Sequence, residues 1–541
     1  MNRLLSFVFL LGFSNFLPAQ TWTDTTAQID KIFSRYLPNN PGTELAIMRN
    51  GKIIFSKAWG MADLEHGAQL SVESPTEAGS VSKQFTSAAI LLLEQQGKLS
   101  VNDNIRKYLP EVPDYGHPIL IRHLMEHTSG LKDWGSVADV SGWPRSTKTY
   151  SNADALYIVS RQKTLNNIPG AEYIYSNSNY NLLAIIVSRV SGMTMAEFTR
   201  KYIFEPAGMK HTGWRDDFKR IVPNRAMAYS WNDTVYRTNM PNEYVYGNGG
   251  LLTTAEDLLQ WNEYYGNGRL GNPSLFNAQT SPHAFNNGTP HNYAAGLVIG
   301  NFRGWKIISH TGATASYRSS LEFYPELDLS IAWLSNTSQY DGASLYVPGA
   351  VAELMIGQKG EAAKKAESKP VVLSEAALKN FAGWYRNERS GAGINLLAKD
   401  GKLFLAPATE VTVTGDRSFN LGDTRFEVNG DWKNGLRRIS PSKDTTLFSK
   451  STAAVADSTA LLAYIGRYYS SEADATYELV IKNGKLMMHM QPEDWYTLDA
   501  TYKDAFDFDL GNLYFIRGKK NAVTGFMVSV SRARNIFFEK K

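Results

Sequence analysis

Ser80 and Lys83 stand three residues apart in the segment from Glu77 to Phe85, and together they could perform acyl transfer. Side chains at this spacing share one face of a helix, so the hydroxyl and the amine can come within hydrogen-bonding distance. A serine hydroxyl is a weak nucleophile until a base takes its proton, and burial and a helix N-terminus can lower the pKa of a lysine enough for that task. An N-cap serine followed by a solvated lysine would leave the same pattern, so the pair needs support from elsewhere in the chain.

A helix that begins at Ser80 would position this pair. Apolar residues recur at helical spacing along one face downstream of it, and Gly97 follows them where a C-terminal cap is expected. This face consists of Phe85, Ala88, Ala89, Leu92 and Leu93. Ahead of the helix, Asn50-Gly51 separates two apolar runs and predicts a β-hairpin over residues 43–58.

Two further polar segments follow in the chain. Tyr175 and Asn177 come just before an apolar helical stripe, and His310 with Thr311 and Gly312 lies in a run of strand character. The set Ser-x-x-Lys, Tyr-x-Asn and His-Thr-Gly resembles the motifs of the serine hydrolases related to class C β-lactamases and penicillin-binding proteins. Residues 124–131, 205–209 and 249–258 also resemble segments of that family, so the resemblance covers roughly residues 25 to 355.

The resemblance implies a role for each of these polar residues. Ser80 would attack an acyl carbon, and water would later hydrolyse the acyl-enzyme without a metal or an organic cofactor. Lys83 and Tyr175 would share the serine proton, and which of them is the base stays open. Tyrosine, with a pKa of about 10, could act as the base only if neighbouring positive charge stabilises its phenolate. Asn177 would hold Lys83 and the substrate amide.

The strand motif would supply the substrate-binding residues His310, Thr311 and Gly312, and the backbone N–H groups of Ser80 and Ala313 would form the oxyanion hole. His310 departs from the family pattern, because β-lactamases and most carboxypeptidases of this superfamily carry lysine there to bind a substrate carboxylate. A histidine, with a pKa of about 6.5, is largely neutral at neutral pH. The departure therefore favours substrates without a carboxylate at that position, such as D-amino acid amides, peptides with an N-terminal D-residue, or esters.

Three hypotheses follow for the function. The first is a serine hydrolase of D-aminoacyl peptides or amides, similar to D-aminopeptidases, with an esterase as a close neighbour. The second is a β-lactamase or D-Ala-D-Ala carboxypeptidase, which turnover of cephalosporins would reveal. The third is a catalytically inert binding protein, for which replacement of Ser80 would have no effect.

His123, Glu126 and His127 also match the His-x-x-Glu-His pattern of one class of zinc peptidases. Thr128-Ser129-Gly130 ends that helix at once, and the family resemblance already accounts for the segment. We therefore predict that His127 has a structural role close to the site and that no metal is bound.

The composition describes a globular, exported protein. The net charge of +4 over 541 residues gives no reason to expect nucleic-acid binding.

Residues 1–20 have a basic start and a short apolar run, which predicts a secretory signal peptide; an uncleaved anchoring helix is the alternative. No later stretch could cross a bilayer. With no cysteine in the chain, disulfides and thiolate metal sites are excluded. Periplasmic or secreted bacterial residence is expected.

The length predicts several domains. Residues 21–357 would form an α+β hydrolase domain, an antiparallel sheet flanked by helices, and residues 358–372 would form a polar linker. Beyond it the chain repeats itself, since residues 381–385 and 400–405 are echoed by residues 464–469 and 483–488. Residues 373–455 and 456–541 are therefore predicted to form two antiparallel β-barrels or half-barrels, as in the D-aminopeptidases, which carry two lipocalin-like barrels.

Overall fold

The computed structural model describes residues 22–340, 347–359, 370–441, 444–454, 458–490 and 494–541. Within them, a domain of helices packed on an antiparallel sheet is followed by two barrel-like β-sheets. The predicted signal peptide lies outside the described residues, as do residues 360–369 of the predicted linker.

The sheet of the first domain has seven strands in the order β12-β13-β14-β15-β16-β1-β2. The strands of this domain are β1 (Thr43–Arg49), β2 (Lys52–Trp59), β3 (Met61–Asp63), β4 (Ala68–Gln69), β5 (Thr76–Glu77), β6 (Tyr150–Ser151), β7 (Gly213–Trp214), β8 (Tyr229–Trp231), β9 (Tyr236–Thr238), β10 (Glu243–Tyr244), β11 (Leu251–Thr253), β12 (Tyr293–Ala294), β13 (Leu297–Phe302), β14 (Trp305–Thr314), β15 (Tyr317–Tyr324) and β16 (Leu329–Ser335). The expected hairpin is β1–β2, and Asn50 and Gly51 take the positive φ angles that its turn requires.

Helices cover both faces of this sheet. They are α1 (Trp22–Phe33), α2 (Lys83–Gln95), α3 (Ile121–Met125), α4 (Trp134–Val140), α5 (Asn152–Ser160), α6 (Asn177–Ser191), α7 (Met195–Thr199), α8 (Glu205–Ala207), α9 (Ala255–Gly266), α10 (Pro273–Gln279) and α11 (Val347–Met355). Alternate residues of β1 enter different cores: Leu45 packs with α1 and α11, whereas Ala46 packs with α2 and α9. Because successive side chains of a strand point to opposite faces of the sheet, β1 contributes to the core on each side of it.

Two details differ from the sequence-based expectation. The sequence predicts an amphipathic helix from Ala27 to Tyr36. Helix α1 instead ends at Phe33, because the chain turns there and the Tyr36 N–H donates to the Phe33 carbonyl at 2.9 Å. The helix expected at Ser80 begins as a tight 3₁₀ turn, Gly79–Ser82, and becomes α-helical at Lys83.

The C-terminal region contains two nine-stranded antiparallel sheets. The first has α12 (Glu375–Phe381), β17 (Gly383–Asn387), β18 (Gly393–Lys399), β19 (Lys402–Leu405), β20 (Thr409–Glu410), β21 (Thr412–Gly415), β22 (Ser418–Leu421), β23 (Thr424–Val428), β24 (Leu436–Ile439) and β25 (Thr445–Ser451). The second has α13 (Ser458–Leu461), β26 (Gly466–Ser470), β27 (Ala475–Lys482), β28 (Lys485–Met490), β29 (Asp494–Thr497), β30 (Asp499–Ala500), β31 (Ala505–Phe508), β32 (Gly511–Arg517), β33 (Val523–Val530) and β34 (Ala533–Lys540).

The two sheets have the same strand order, which the sequence repeat predicts. The orders are β20-β19-β18-β17-β25-β24-β23-β22-β21 and β29-β28-β27-β26-β34-β33-β32-β31-β30. Even single contacts are repeated: Tyr385 donates its hydroxyl to the Phe381 carbonyl at 2.8 Å, and Tyr468 donates to the Tyr464 carbonyl at 2.7 Å. We call these sheets the first and second barrel.

The second barrel docks closely against the hydrolase domain. Val137 and Val140 of α4 belong to the same apolar cluster as the interior of this barrel. A buried ion pair joins Lys132 Nζ to Glu472 Oε2 at 2.9 Å, and Tyr477 donates its hydroxyl to the Val140 carbonyl at 2.6 Å. The barrel thus shares a core with the domain that carries the predicted nucleophile.

Within the described residues, no single helix is long and apolar enough to cross a membrane. The segments Asn177–Ser191 and Met195–Ala207 meet that criterion only as a pair, and they are bent by 78° relative to each other.

Candidate active site

Ser80 lies in the 3₁₀ turn at the start of α2, at the base of a pocket of about 450 Å³. Gly79 before it has a φ of +49°, and a Cβ on Gly79 would lie 2.8 Å from the Ala313 nitrogen. The turn is held by the Ser82 hydroxyl, which donates to the Gly79 carbonyl at 2.6 Å. Glycine is therefore required at position 79 both by backbone conformation and by close approach to the neighbouring strand.

Lys83 is fully buried one turn after Ser80. Its Nζ lies 3.0 Å from Ser80 Oγ, 3.1 Å from Asn177 Oδ1 and 2.5 Å from the Asn248 carbonyl oxygen. Asn177 is the first residue of α6, so the Tyr-x-Asn motif reaches Lys83 from a separate helix. The structure brings together the serine, the lysine and the asparagine that the motifs predicted.

Tyr175 also contacts Ser80. Its hydroxyl lies 2.7 Å from Ser80 Oγ, and Lys83 Nζ lies 4.8 Å from the centre of its ring. The Ser80 oxygen is therefore contacted by both groups that were predicted to share its proton.

Burial sets the protonation of both partners in the site. Desolvation lowers the pKa of Lys83 well below its usual value, and the positive charge of Arg532 lowers it further. Desolvation raises the pKa of Tyr175 to about 12, although its hydrogen bond with Ser80 and the charge of Arg532 act in the opposite direction. The burial thus favours a neutral amine beside a neutral phenol.

The C-terminal half of β14 forms part of the wall of the pocket. Residues 305–309 of β14 pair with β13, but residues 310–314 extend beyond β13 and pair only with β15. A Cβ on Gly312 would lie 2.1 Å from the Ala78 carbonyl oxygen and 3.0 Å from the Ser80 nitrogen. The predicted oxyanion donors, the N–H groups of Ser80 and Ala313, thus lie where this strand segment meets the serine turn.

His310 lines the pocket but is held by two neighbours. Its Nδ1 lies 2.6 Å from the Thr311 carbonyl oxygen, and its Nε2 lies 3.0 Å from the Tyr293 hydroxyl. A carbonyl only accepts, so Nδ1 carries the proton and Nε2 accepts from Tyr293. Burial, with a smaller effect of Lys83, lowers the pKa of His310 to about 4, so the ring is neutral near pH 7. Thr311 is exposed at the same wall.

The three residues of the zinc-peptidase pattern point to separate partners. His123 Nδ1 accepts from the Leu120 N–H at 3.2 Å, and Glu126 Oε1 lies 2.6 Å from His283 Nδ1. His127 packs its ring 4.2 Å from that of Tyr175, and its Nδ1 accepts from the Ser176 N–H at 3.2 Å. In this position His127 supports Tyr175.

The sequence profile of the Beta-lactamase family matches residues 29–354, which is more than half of the chain. The chain belongs to the Beta-lactamase family. Penicillin-binding protein 4* of Bacillus subtilis (strain 168) is 27% identical over 413 residues, which cover 71% of this chain and 87% of that protein. A D-aminopeptidase of Brucella anthropi is 25% identical over 543 residues, which cover 96% of this chain and 99% of the relative.

Among solved structures, the octameric penicillin-binding protein homologue from Pyrococcus abyssi has a TM-score of 0.52 at 24% identity, covering 87% of this chain and 99% of that one. This likeness shows a shared fold. Together with the family match and the two nine-stranded sheets, it confirms the prediction of a β-lactamase-related serine hydrolase domain followed by two barrel-like repeats.

Several residues of this Beta-lactamase family site were not predicted. Asn248 directly precedes residues 249–258, a segment that resembles the family. Its position next to this segment could therefore have indicated that Asn248 lies at the site. Arg145 and Glu243 line the pocket as an ion pair, with Arg145 Nε 2.5 Å from Glu243 Oε2. Arg532 reaches the pocket from the second barrel, and no local pattern in the sequence indicates this.

A larger cavity, of about 910 Å³, lies away from this site. It is lined in part by Phe204, Trp214 and Ile221, and none of the predicted site residues borders it. The chemistry that the motifs predict therefore belongs to the smaller pocket.

Proposed function

We propose that this chain hydrolyses D-aminoacyl peptides or amides through an acyl-enzyme on Ser80. The observation that carries the proposal is the double contact of Ser80 Oγ, with Lys83 Nζ at 3.0 Å and the Tyr175 hydroxyl at 2.7 Å. The D-aminopeptidase of Brucella anthropi, which aligns over nearly the whole of this chain, supports the substrate class. The fold of the D-amino acid amidase from Ochrobactrum anthropi, at a TM-score of 0.51 and 20% identity over 61% of this chain and 99% of that one, agrees with it.

The hydrogen bonds of Lys83 favour the lysine as the base. A neutral amine has two N–H donors and one lone pair. Two of its three partners, Asn177 Oδ1 and the Asn248 carbonyl, can only accept, so they take both donors. The lone pair is then left for the hydroxyl proton of Ser80. As Ser80 Oγ attacks the acyl carbon, its proton moves to Lys83 Nζ.

Tyr175 would act on the leaving group. Its raised pKa keeps the phenol protonated, and its hydroxyl donates to Ser80 Oγ in the resting site. On collapse of the tetrahedral intermediate, Tyr175 gives its proton to the leaving nitrogen and recovers one from the Lys83 ammonium. The oxyanion would be bound by the N–H groups of Ser80 and Ala313 throughout.

The test is hydrolysis of four substrates by the protein and by Ser80→Ala: D-alanine nitroanilide, its L enantiomer, a nitrophenyl ester and a chromogenic cephalosporin. We expect turnover of the D-anilide in preference to its enantiomer and no turnover by Ser80→Ala. Turnover of the ester alone would replace the proposal with an esterase, and turnover of the cephalosporin alone with a β-lactamase. Equal behaviour of the variant and the parent would refute Ser80 as the nucleophile.

We also propose that the protein is exported, as the basic and apolar residues 1–20 suggest. Expression of the full chain in a Gram-negative host, followed by cell fractionation and N-terminal sequencing, tests this. The expected product is periplasmic or secreted and begins near residue 21. A full-length chain retained in the cytoplasm would contradict it.

A further inference from the structure

The turn between β33 and β34 brings the second barrel into the active site. This turn consists of Ser531 and Arg532, because Val530 pairs with Ala533 across the hairpin. The Arg532 carbonyl accepts from Asn166 Nδ2 at 2.9 Å and from the Asp133 N–H at 3.2 Å. The hydrolase domain therefore fixes the backbone of the turn by two hydrogen bonds.

The side chain of Arg532 points into the pocket that contains Ser80. Its guanidinium carbon lies 4.7 Å from the centre of the Tyr175 ring, and Arg532 lines the pocket together with Ser80, Asn177 and Thr311. The residue is partly exposed, so a ligand in the pocket can reach it. Stacking on an aromatic ring orients a guanidinium while leaving its N–H groups free for an anion.

The other charges that border the pocket are already matched. Arg145 forms its ion pair with Glu243. The carboxylate of Asp133, which does not line the pocket, accepts from the Ser136 N–H at 3.1 Å and from the Asn177 N–H at 2.6 Å. Within the described residues, no carboxylate forms an ion pair with the guanidinium of Arg532. By contrast, Glu172 pairs with both Arg534 and Arg389, and Asp444 also pairs with Arg389. Among the described residues, Arg532 is thus a cation that lines the pocket without an ion-pair partner.

We propose that Arg532 binds a carboxylate of the substrate and thereby makes this enzyme selective for D-aminoacyl compounds that carry one. The proposal rests on the proposed function and narrows its substrate class. A guanidinium binds a carboxylate through two parallel hydrogen bonds, which gives both affinity and orientation. The neutral amide or ester counterparts cannot form this pair.

This inference reverses the expectation drawn from His310 in the sequence. That histidine is neutral and bonded to Tyr293, so the strand motif supplies no positive charge. Arg532 provides the charge from another domain, and substrates with a carboxylate become the favoured ones. The second barrel then serves as a specificity element of the catalytic domain.

The first test compares substrates that differ only in one carboxylate. One pair places it beyond the scissile bond, D-alanyl-glycine against D-alanyl-glycinamide, with release of D-alanine as the readout. A second pair places it on the acyl side, N-succinyl- against N-acetyl-D-alanine nitroanilide. In one of these pairs we expect kcat/KM to favour the carboxylate by about 10- to 100-fold, the range for a hydrogen bond to a charged group.

Substitutions then assign the preference to Arg532. Arg532→Gln should bring the ratio of kcat/KM values between the charged and the neutral substrate of each pair close to one. Arg532→Lys should retain part of the preference for the carboxylate. Arg467→Gln, at an exposed arginine of the same barrel, should leave the ratio unchanged. If Arg532 only packs on Tyr175, Arg532→Gln would lower kcat/KM equally for both members of a pair, and this result would overturn the proposal.

A binding measurement separates this inference from the proposed function. Calorimetric titration of the Ser80→Ala protein needs no turnover, so it reports on Arg532 even if D-alanyl bonds are not the bonds cleaved. We expect D-alanyl-glycine or the succinyl compound to bind more tightly than its neutral counterpart, and the difference to vanish in Ser80→Ala/Arg532→Gln. Equal affinity for both members of both pairs would refute the role of Arg532, whatever the hydrolysis assays show.

Discussion

Replacement of Lys83 by methionine tests the assignment of the base. Methionine keeps most of the length of the buried side chain but has no basic nitrogen, so Ser80 keeps its place and its contact with Tyr175. The serine proton would then have to leave without an acceptor 3.0 Å away. The change removes proton transfer while preserving the packing at the start of α2.

The size of the effect follows from these contacts. Loss of a positioned general base costs about 10²- to 10⁴-fold in rate, equivalent to about 3–5 kcal/mol in the activation free energy of acylation. The carbonyl oxygens of Asn177 and Asn248 each lose a donor, which costs about 1–3 kcal/mol of stability apiece. Removal of a buried amine offsets part of that cost, because burial already disfavours its charged form.

The assay is kcat/KM for D-alanine nitroanilide at pH 7, with circular dichroism to show that the variant is folded. Lys98→Met, at an exposed lysine just beyond the same helix, is the matched control and should stay within about twofold of the parent. Retention of activity by Lys83→Met, together with its loss in Tyr175→Phe, would refute the reasoning and make the phenolate the base.

Three further predictions concern stability and geometry. Burial lowers the pKa of His310 from 6.5 to about 4. Between these two pH values the unfolded chain binds a proton at His310 that the folded chain does not bind, so the free energy of unfolding falls as the pH falls. The loss reaches about 3 kcal/mol at pH 4, and His310→Asn should remove it from urea unfolding curves. Gly312→Ala would place a Cβ 2.1 Å from the Ala78 carbonyl, and the displaced serine turn should lose at least about 100-fold in kcat/KM. Glu472→Gln leaves the buried Lys132 without its charged partner and should cost about 3–5 kcal/mol in urea unfolding, most of which Lys132→Met/Glu472→Leu should recover.

Each of these predictions has a matched control. His117→Asn changes an exposed histidine on the surface of the hydrolase domain, and it should leave the acid slope of the unfolding curves in place. Gly349→Ala adds a Cβ in open space on α11 and should leave activity intact. Glu539→Gln breaks an exposed pair with Lys541 and should not shift the unfolding midpoint. If a control variant had as large an effect as the variant to which it is matched, burial of His310, the close approach at Gly312 or the buried Lys132–Glu472 pair could not be the cause of that effect.

Local sequence predicted the elements that carry the motifs. The hairpin β1–β2 follows from Asn50-Gly51, since that dipeptide accepts the positive φ angles of a tight turn. The pair Ser80 and Lys83 follows from helical spacing, and the barrel repeat follows from self-similarity of the chain. These features depend on interactions between residues that are close in sequence, and such interactions leave periodic or compositional patterns.

The contacts between distant segments could not be predicted in this way. The family resemblance predicted that Tyr175, Asn177 and the β14 motif lie near Ser80. Only the tertiary structure shows that the Asn248 carbonyl accepts a hydrogen bond from Lys83 and that Tyr293 is hydrogen-bonded to His310. Burial, which sets the protonation of the site, is likewise a property of the packed chain and not of a sequence motif.

The sequence by itself determined the domain type and the two β repeats, through its motifs and its internal repetition. Through the family resemblance it also predicted Ser80 as the nucleophile and Lys83 and Tyr175 as its proton partners. Only the tertiary structure decided which charge faces the substrate. His310 suggested a pocket without a fixed cation, whereas docking of the second barrel places Arg532 there. The physical reason is that this docking depends on surface complementarity and the buried Lys132–Glu472 pair, contacts between residues far apart in the chain.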